Sequence, residues 1–161
     1  MPAIPSNKPY RIGRSRTGLG LFATAPTQKR HRIAEYRGRR ITTAQAEKME
    51  HSGGNRYMFE VNSKWTIDGT PRYNVARYAN HSCNPNAEPV IYGGRIFIRA
   101  LRRIKPEEEI TYHYGMDYLR NVIGISNCKC GRCRRRKAKK ARATRARKKR
   151  ALKRTKAGRR R

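Results

Sequence analysis

The last 28 residues, 134–161, carry 18 lysines and arginines, no acidic residue and one large apolar side chain, Leu152. A segment of that composition cannot bury enough apolar surface to offset the entropy of ordering its chain, so a disordered polycationic tail is expected there. Whatever folds around a core must come from residues 1–133. That stretch holds all 13 aromatic side chains (Trp65, nine Tyr, three Phe) and the remaining +13 of a net formal charge of +31. It is the length of one domain. No run of ~18 apolar residues is present, so no membrane-crossing helix is expected. Met1-Pro2-Ala3-Ile4-Pro5 also lacks the apolar stretch of a secretory signal. An intracellular protein is the default reading, and in that compartment four cysteines point to thiols or metal ligands rather than structural disulfides.

Residues 1–14, with Pro at 2, 5 and 9, read as an extended lead-in. Gly18-Leu19-Gly20-Leu21-Phe22-Ala23 reads as a tight turn entering a strand, and Ile33–Tyr36 as a short strand ended by Gly38. Thr42-Thr43-Ala44-Gln45 has capping-box spacing, which predicts one short helix over 44–50, stopped by Gly53-Gly54. Short strands follow at 57–61 and 65–67, with Asp68-Gly69 as a turn. Val90-Ile91-Tyr92, Gly93-Gly94, Arg95–Arg99 predicts a hairpin, because two glycines supply the positive φ that a two-residue loop needs. The fold class is mainly β, a β-rich α+β domain.

Two segments concentrate polar and aromatic side chains. In Glu109–Tyr114, strand alternation puts Ile110, Tyr112 and Tyr114 on one face and Glu109, Thr111 and His113 on the other. Two neighbouring tyrosines suit a channel around a long aliphatic side chain ending in nitrogen, and taken alone they equally suit a core strand. Asn80-His81-Ser82-Cys83-Asn84-Pro85-Asn86 is a polar turn whose side chains can bond backbone.

Together, in this order, these segments resemble the two signature segments of SET-domain protein-lysine methyltransferases. Ser15–Ala23 is similar to that family's opening Gly-x-Gly segment and Glu35-Tyr36-Arg37-Gly38 to the strand after it. Tyr57-Met58-Phe59, Ile67-Asp68-Gly69 and Asn74–Cys83 are similar to its middle, Glu108–Gly115 to its catalytic strand, and Cys128–Cys133 to its post-SET cysteine module. The likeness covers roughly residues 10–133, and five motifs in fixed order leave little room for accident. It implies a SET domain at 10–117, a post-SET zinc module at 118–133 and the tail at 134–161. The implied fold is a set of small curved sheets with a C-terminal pseudoknot, an exception to the rule against threaded connections.

The resemblance also implies roles. Thr17, Gly18 and Leu19 would hold S-adenosylmethionine through backbone groups, Asn80 and His81 would bind its amino-acid and adenine parts, and Arg77 and Tyr57 would flank it. Tyr114 would be the catalytic tyrosine, with Tyr36 and Tyr112 lining the lysine channel. Tyr112 stands where the family has Phe or Tyr and resembles the version that adds one methyl group. Cys83, Cys128, Cys130 and Cys133 would bind Zn2+, which in structural sites takes four ligands. The chain departs from the family pattern at Tyr73, Glu107 and His113, and in having two rather than four residues between its last two cysteines. His31, His51 and His113 read as surface or strand residues without metal spacing.

A lysine- and arginine-rich tail binds DNA phosphates without sequence preference by releasing counterions. A basic substrate would be repelled in free solution but gathered on the same polyanion. The expected substrate is thus a basic, DNA-associated, histone-like protein, the tail itself included, and the expected location is the chromosome or nucleoid. The rival reading is a non-catalytic chromosomal DNA-binding protein on a degenerate SET scaffold. A ribosome-associated basic zinc protein is a weaker one.

Overall fold

The computed structural model describes residues 8–52 and 57–158, in two compact units, one ending at Tyr114 and the other beginning at Gly115. The Gly53-Gly54 helix stop and residues 1–7 of the expected lead-in lie outside the described residues.

Among the described residues the first unit runs through β1 (Tyr10–Ser15), β2 (Gly18–Ala23), β3 (Arg32–Tyr36), β4 (Arg39–Thr42), α1 (Thr43–His51), β5 (Met58–Glu60), β6 (Trp65–Asp68), β7 (Asn80–His81), β8 (Ala87–Tyr92), β9 (Arg95–Ala100) and β10 (Glu109–Tyr112). They form three small sheets, ordered β1-β2-β10-β7, β3-β9-β8 and β4-β6-β5. Period-2 alternation decides which side chains go in. Along β9, Ile96, Ile98 and Ala100 are buried while Arg95, Phe97 and Arg99 face away. Leu21, Ile96, Ile98, Ile104 and Ile110 are fully buried at the centre, each worth ~1.5–3 kcal/mol of transfer free energy.

Local chemistry sets the boundaries. Gly93 and Gly94 take φ of 56° and 70°, both in the left-handed region, and close the β8–β9 hairpin with Tyr92 opposite Arg95. The expected capping box starts α1: the Thr42 hydroxyl accepts from Gln45 N–H at 3.2 Å, and Gln45 Oε1 accepts from Thr42 N–H at 3.0 Å.

β10 is the last strand of the first unit, yet it pairs antiparallel with β2 and parallel with β7. That insertion between distant segments is the arrangement the expected C-terminal pseudoknot requires. Two buried amides pin the neighbouring loops where ladder partners run out. Asn86 donates to the Glu109 carbonyl at 2.8 Å and accepts from Thr111 N–H at 2.8 Å. Asn74, fully buried, donates to the Gly69 carbonyl at 3.0 Å and accepts from Arg37 N–H at 3.0 Å. Removing either would strand buried backbone groups, which costs more than the hydrogen bond itself.

Three sequence expectations change. Residues 10–14, read as lead-in, are extended but belong to β1, paired with β2 along its whole length. Arginine suits this edge strand because Arg11 stacks 5.0 Å over Phe22 and pairs with Glu107. β4 and β7 were not expected as strands. The tail, expected to be disordered, is helical over its described residues, 134–158. The second unit holds α2 (Met116–Tyr118), a π turn (Leu119–Ile123), a 3-10 turn (Ile125–Asn127) and α3 (Gly131–Gly158). A segment with no core can still be a helix, since helical hydrogen bonds are internal and Ala, Arg and Lys are strong helix formers. From Arg132 to Ala157 neither glycine nor proline interrupts it. α3 is long but cationic, and among the described residues no helix is long and apolar enough to cross a membrane.

Glu108, at the entry to β10, is held at about 2 by the Arg102 guanidinium, with Lys105 N–H and the Asn86 amide adding to the effect against the opposing cost of burial. Its folded value lies below the ordinary 4.5, so its contribution to stability is complete above that pH and is lost as pH falls toward 2. Melting curves of wild type and Glu108→Gln should therefore differ most at neutral pH and converge between pH 4.5 and 2.

Candidate functional site

The site grows from the inward face of β10 and the loops beside it. Tyr112 is buried and Tyr114 half-buried, their ring centroids 4.8 Å apart. From Tyr112 the row continues to Phe59 at 6.3 Å and from Phe59 to Tyr36 at 5.2 Å. From Tyr114 it turns to His81 at 5.5 Å, edge to face, and then to His113 at 4.9 Å. Two hydroxyls in the row are tied to backbone: Tyr114 donates to the Ala79 carbonyl at 2.8 Å, and Tyr36 to the Tyr57 carbonyl at 2.9 Å. Burial pushes the Tyr36 phenol well up, so it stays a neutral donor. Gly69 is pressed against the Tyr36 ring so closely that a Cβ there would collide with it. The row is a rigid aromatic wall whose polar atoms are aimed by main-chain acceptors.

A second group gathers at the start of β2. Asn80 Nδ2 donates to the Leu19 carbonyl at 3.0 Å and to Glu109 Oε1 at 2.7 Å, and Ser15 donates to the same oxygen at 2.6 Å. Thr17 lies in the exposed β1–β2 turn. Gly18 has φ of 118° with no atom within 4 Å of where a Cβ would stand, and Leu19 is 54% exposed. The turn thus offers backbone groups beside open space. Arg77 lies 3.8 Å over the Tyr57 ring and donates through one terminal nitrogen to the Thr70 carbonyl. Its Nε is buried and has no hydrogen-bond partner among the described residues. A buried orphan donor fits a ligand that brings a carboxylate or carbonyl oxygen.

His81 joins the two groups. Its Nδ1 accepts from Tyr114 N–H at 3.2 Å, so in the neutral ring the proton sits on Nε2, which faces Cys83 Sγ at 3.3 Å. Burial, helped by the nearby His113, lowers His81 to about 4, so the ring is neutral at physiological pH. Donor atoms of His81, Cys83 and His113 lie within 4.8 Å of one another. With Nδ1 accepting from the backbone, His81 directs its Nε2 proton at the Cys83 sulfur.

In the second unit the sulfurs of Cys128, Cys130 and Cys133 lie within 4.8 Å of one another. Cys133 N–H donates to Cys130 Sγ at 3.5 Å, and Lys137 of α3 donates to the Cys128 carbonyl at 3.3 Å. Burial, with the neighbouring thiols, pushes the Cys128 thiol up. A divalent cation among three thiols would favour their ionised forms.

Tyr36, Tyr57, Arg77, Asn80, His81, Tyr112 and Tyr114 are thus all held by named contacts around β10, β7 and the 3-10 turn Val75–Tyr78. Sequence reasoning missed Phe59, although its spacing of two from Tyr57 was a usable strand signal. It also missed Glu109, which anchors Asn80 and Ser15 and had no signal beyond its place on the opposite face from the tyrosines. His113, a surface or strand residue by sequence, is brought to His81 only by folding.

A SET domain profile matches residues 18–115. The chain is 39% identical over 135 residues to human histone-lysine N-methyltransferase 2D, covering 77% of this chain and 2% of that protein. It is 34% identical over 134 residues to the Caenorhabditis elegans histone-lysine N-methyltransferase mes-4, covering 71% of this chain and 15% of the relative. Among solved structures, a humanized mutant of Chaetomium thermophilum Polycomb Repressive Complex 2 bound to an inhibitor superposes with a TM-score of 0.61 at 28% identity, over 73% of this chain and 16% of that one. A ctPRC2 chain in an autoinhibited conformation, bound to S-adenosylmethionine, gives 0.60 at 28% identity over 68% of this chain and 15% of that one. The chain spans less than a fifth of the length of these relatives. With the profile covering more than half of the sequence and the β2–β10–β7 arrangement in place, the chain belongs to the SET-domain family.

Proposed function

We propose that this chain is an S-adenosylmethionine-dependent protein-lysine N-methyltransferase that adds a single methyl group to a basic, histone-like protein. The observation that carries the proposal is the aromatic wall ending at Tyr114, whose hydroxyl is held by the Ala79 carbonyl beside Asn80 and His81. The names of its relatives and the S-adenosylmethionine bound in a similar solved chain support the same reading.

Thr17, Gly18 and Leu19 would hold the cofactor through backbone groups, with Asn80, His81, Arg77 and Tyr57 around it. The open turn at Gly18 and the orphan Arg77 Nε suit that ligand. When bound, the cofactor supplies an electrophilic methyl carbon on a sulfonium. Tyr36, Phe59 and Tyr112 wall the passage in which the substrate lysine would lie. Free lysine titrates near 10.4, and an apolar passage disfavours its charged form, so the nitrogen sheds a proton to water and presents its lone pair. Tyr114 orients that nitrogen. Alignment of this kind is worth up to ~7–11 kcal/mol, so no strong base is required. The Tyr112 hydroxyl occupies room that a second methyl would need.

Cys83 would complete a zinc site with Cys128, Cys130 and Cys133, its thiolate supported by the proton on His81 Nε2. The basic α3 would hold the protein on DNA by counterion release, which places the protein and its substrate on chromosomes, in the nucleus where there is one.

Methyl transfer from labelled S-adenosylmethionine to histones, read by intact mass, tests the activity. Wild type should add one methyl per site, Tyr114→Phe should lose on the order of a hundredfold or more in rate, and Tyr112→Phe should build di- and trimethyl products. No transfer together with no cofactor binding would leave a scaffold role. For the metal, native mass should show one zinc per chain. A strong chelator or Cys128→Ser should remove it and lower the melting temperature. For the tail, DNA should raise the rate on histones, less so as salt rises. A chain ending at Cys133 should lose that increase while keeping its rate on a short peptide.

A further inference from the structure

A second concentration of ring faces, interleaved with arginine, lies on the first unit away from the tyrosine row. On the outward side of β9, Phe97 carries the Arg32 guanidinium at 5.0 Å and that of Arg95 at 5.2 Å. Arg32 also lies 5.9 Å from the ring of Tyr92, which is 73% exposed at the end of β8. Across the β8–β9 turn, Arg40 of β4 sits 4.8 Å over Trp65 and 3.9 Å from the point a Cβ on Gly94 would occupy. The patch therefore runs continuously from Trp65 through Arg40 and the hairpin turn to Phe97, Arg32 and Tyr92.

Its charge is only partly answered. Glu35 pairs with Arg95 and Arg37, Glu88 with Arg99, and Asp68 with Arg39 at 4.0 Å. Among the described residues no carboxylate lies within ion-pair distance of Arg32 or Arg40. A cavity of about 450 Å³ beside Arg40 adds Arg39 and Lys48 to its lining and has no acidic residue.

We propose that this face binds a single-stranded nucleic-acid segment, with bases stacked on Trp65 and Tyr92 and phosphates held by Arg32, Arg40 and Lys48. Exposed rings on strands of two sheets, here β6 and β8, with guanidinium groups between them, form a stacking platform that tracks a charged backbone. A duplex keeps its base faces covered and would use only the charges. An acidic polypeptide would likewise leave the rings without a planar partner. The surface differs in kind from α3, since residues 134–161 contain no aromatic side chain and can offer phosphates charge alone. It is independent of methyl transfer.

The chain has one tryptophan, so its emission reports on this face and on no other. Oligothymidylate added to the full-length protein should quench Trp65 emission, whereas base-free polyphosphate and polyglutamate should not. Combining Arg32→Ala with Tyr92→Ala should weaken the quenching affinity on the order of tenfold, with the melting temperature unchanged. Tyr92→Phe, which keeps the ring, should bind nearly as wild type. All variants carry the same tail, so its contribution cancels. The proposal is overturned by any of three results: no quenching by oligothymidylate, equal quenching by polyphosphate or polyglutamate (the latter marking an acidic protein partner), or unchanged affinity in the double variant.

Discussion

Strand β10 is pinned between two segments far from it in sequence, and nearly every other feature of the first unit follows from that placement. Its four residues make few ladder bonds: two register pairs with β2 and two with β7. A strand so short cannot hold itself. Asn86 supplies what the ladder lacks, presenting an amide donor and acceptor to the main chain of β10 as a neighbouring strand would. Asn74 does the same service between the Gly69 and Arg37 backbones. These side chains are buried because their hydrogen bonds are complete, the only condition under which burying an amide is tolerable.

Once β10 is held, its alternation sorts the site. Tyr112 falls inward onto the aromatic wall, and Glu109 falls on the other face, where it meets Asn80 and Ser15. His81 on β7, beside β10, then reaches Tyr114 through one ring nitrogen and Cys83 through the other. The imidazole is a spacer whose tautomer is dictated by a backbone N–H, so its orientation needs no titration to maintain. The wall and the group around Asn80 thus share one support, and a change to β10 would be felt in both.

Charge is handled in two ways. In the first unit, arginines sit over aromatic rings, and several pair with a carboxylate, two of them with Glu35, so a strongly basic surface is compatible with a compact fold. Exposed pairs of this kind add little stability individually. In the second unit α3 carries its cations with no acidic residue at all, which is tenable for an element whose hydrogen bonds are internal and whose side chains from 134 to 151 are exposed to water.

The sequence by itself determined what depends on local spacing and on residue chemistry. The Gly93-Gly94 hairpin, the Thr42–Gln45 capping box and the inward set Ile110, Tyr112 and Tyr114 were legible because each is fixed within a few residues, whereas the catalytic and cofactor-side candidates came from the resemblance to a family and not from local spacing. The tail was misread because a rule about cores was applied to a helix that needs none. β1 was missed because Tyr10–Ser15 lacks an alternating apolar stripe, and only folding gives Arg11 its partners Phe22 and Glu107. What the tertiary structure alone decided is long-range: the insertion of β10, the approach of His113 to His81, the place of Phe59 between two tyrosines, and the arginine-on-ring patch spanning β4, β6, β8 and β9. These contacts join segments dozens of residues apart. Their existence depends on how three small sheets pack, and no local preference along the chain encodes that.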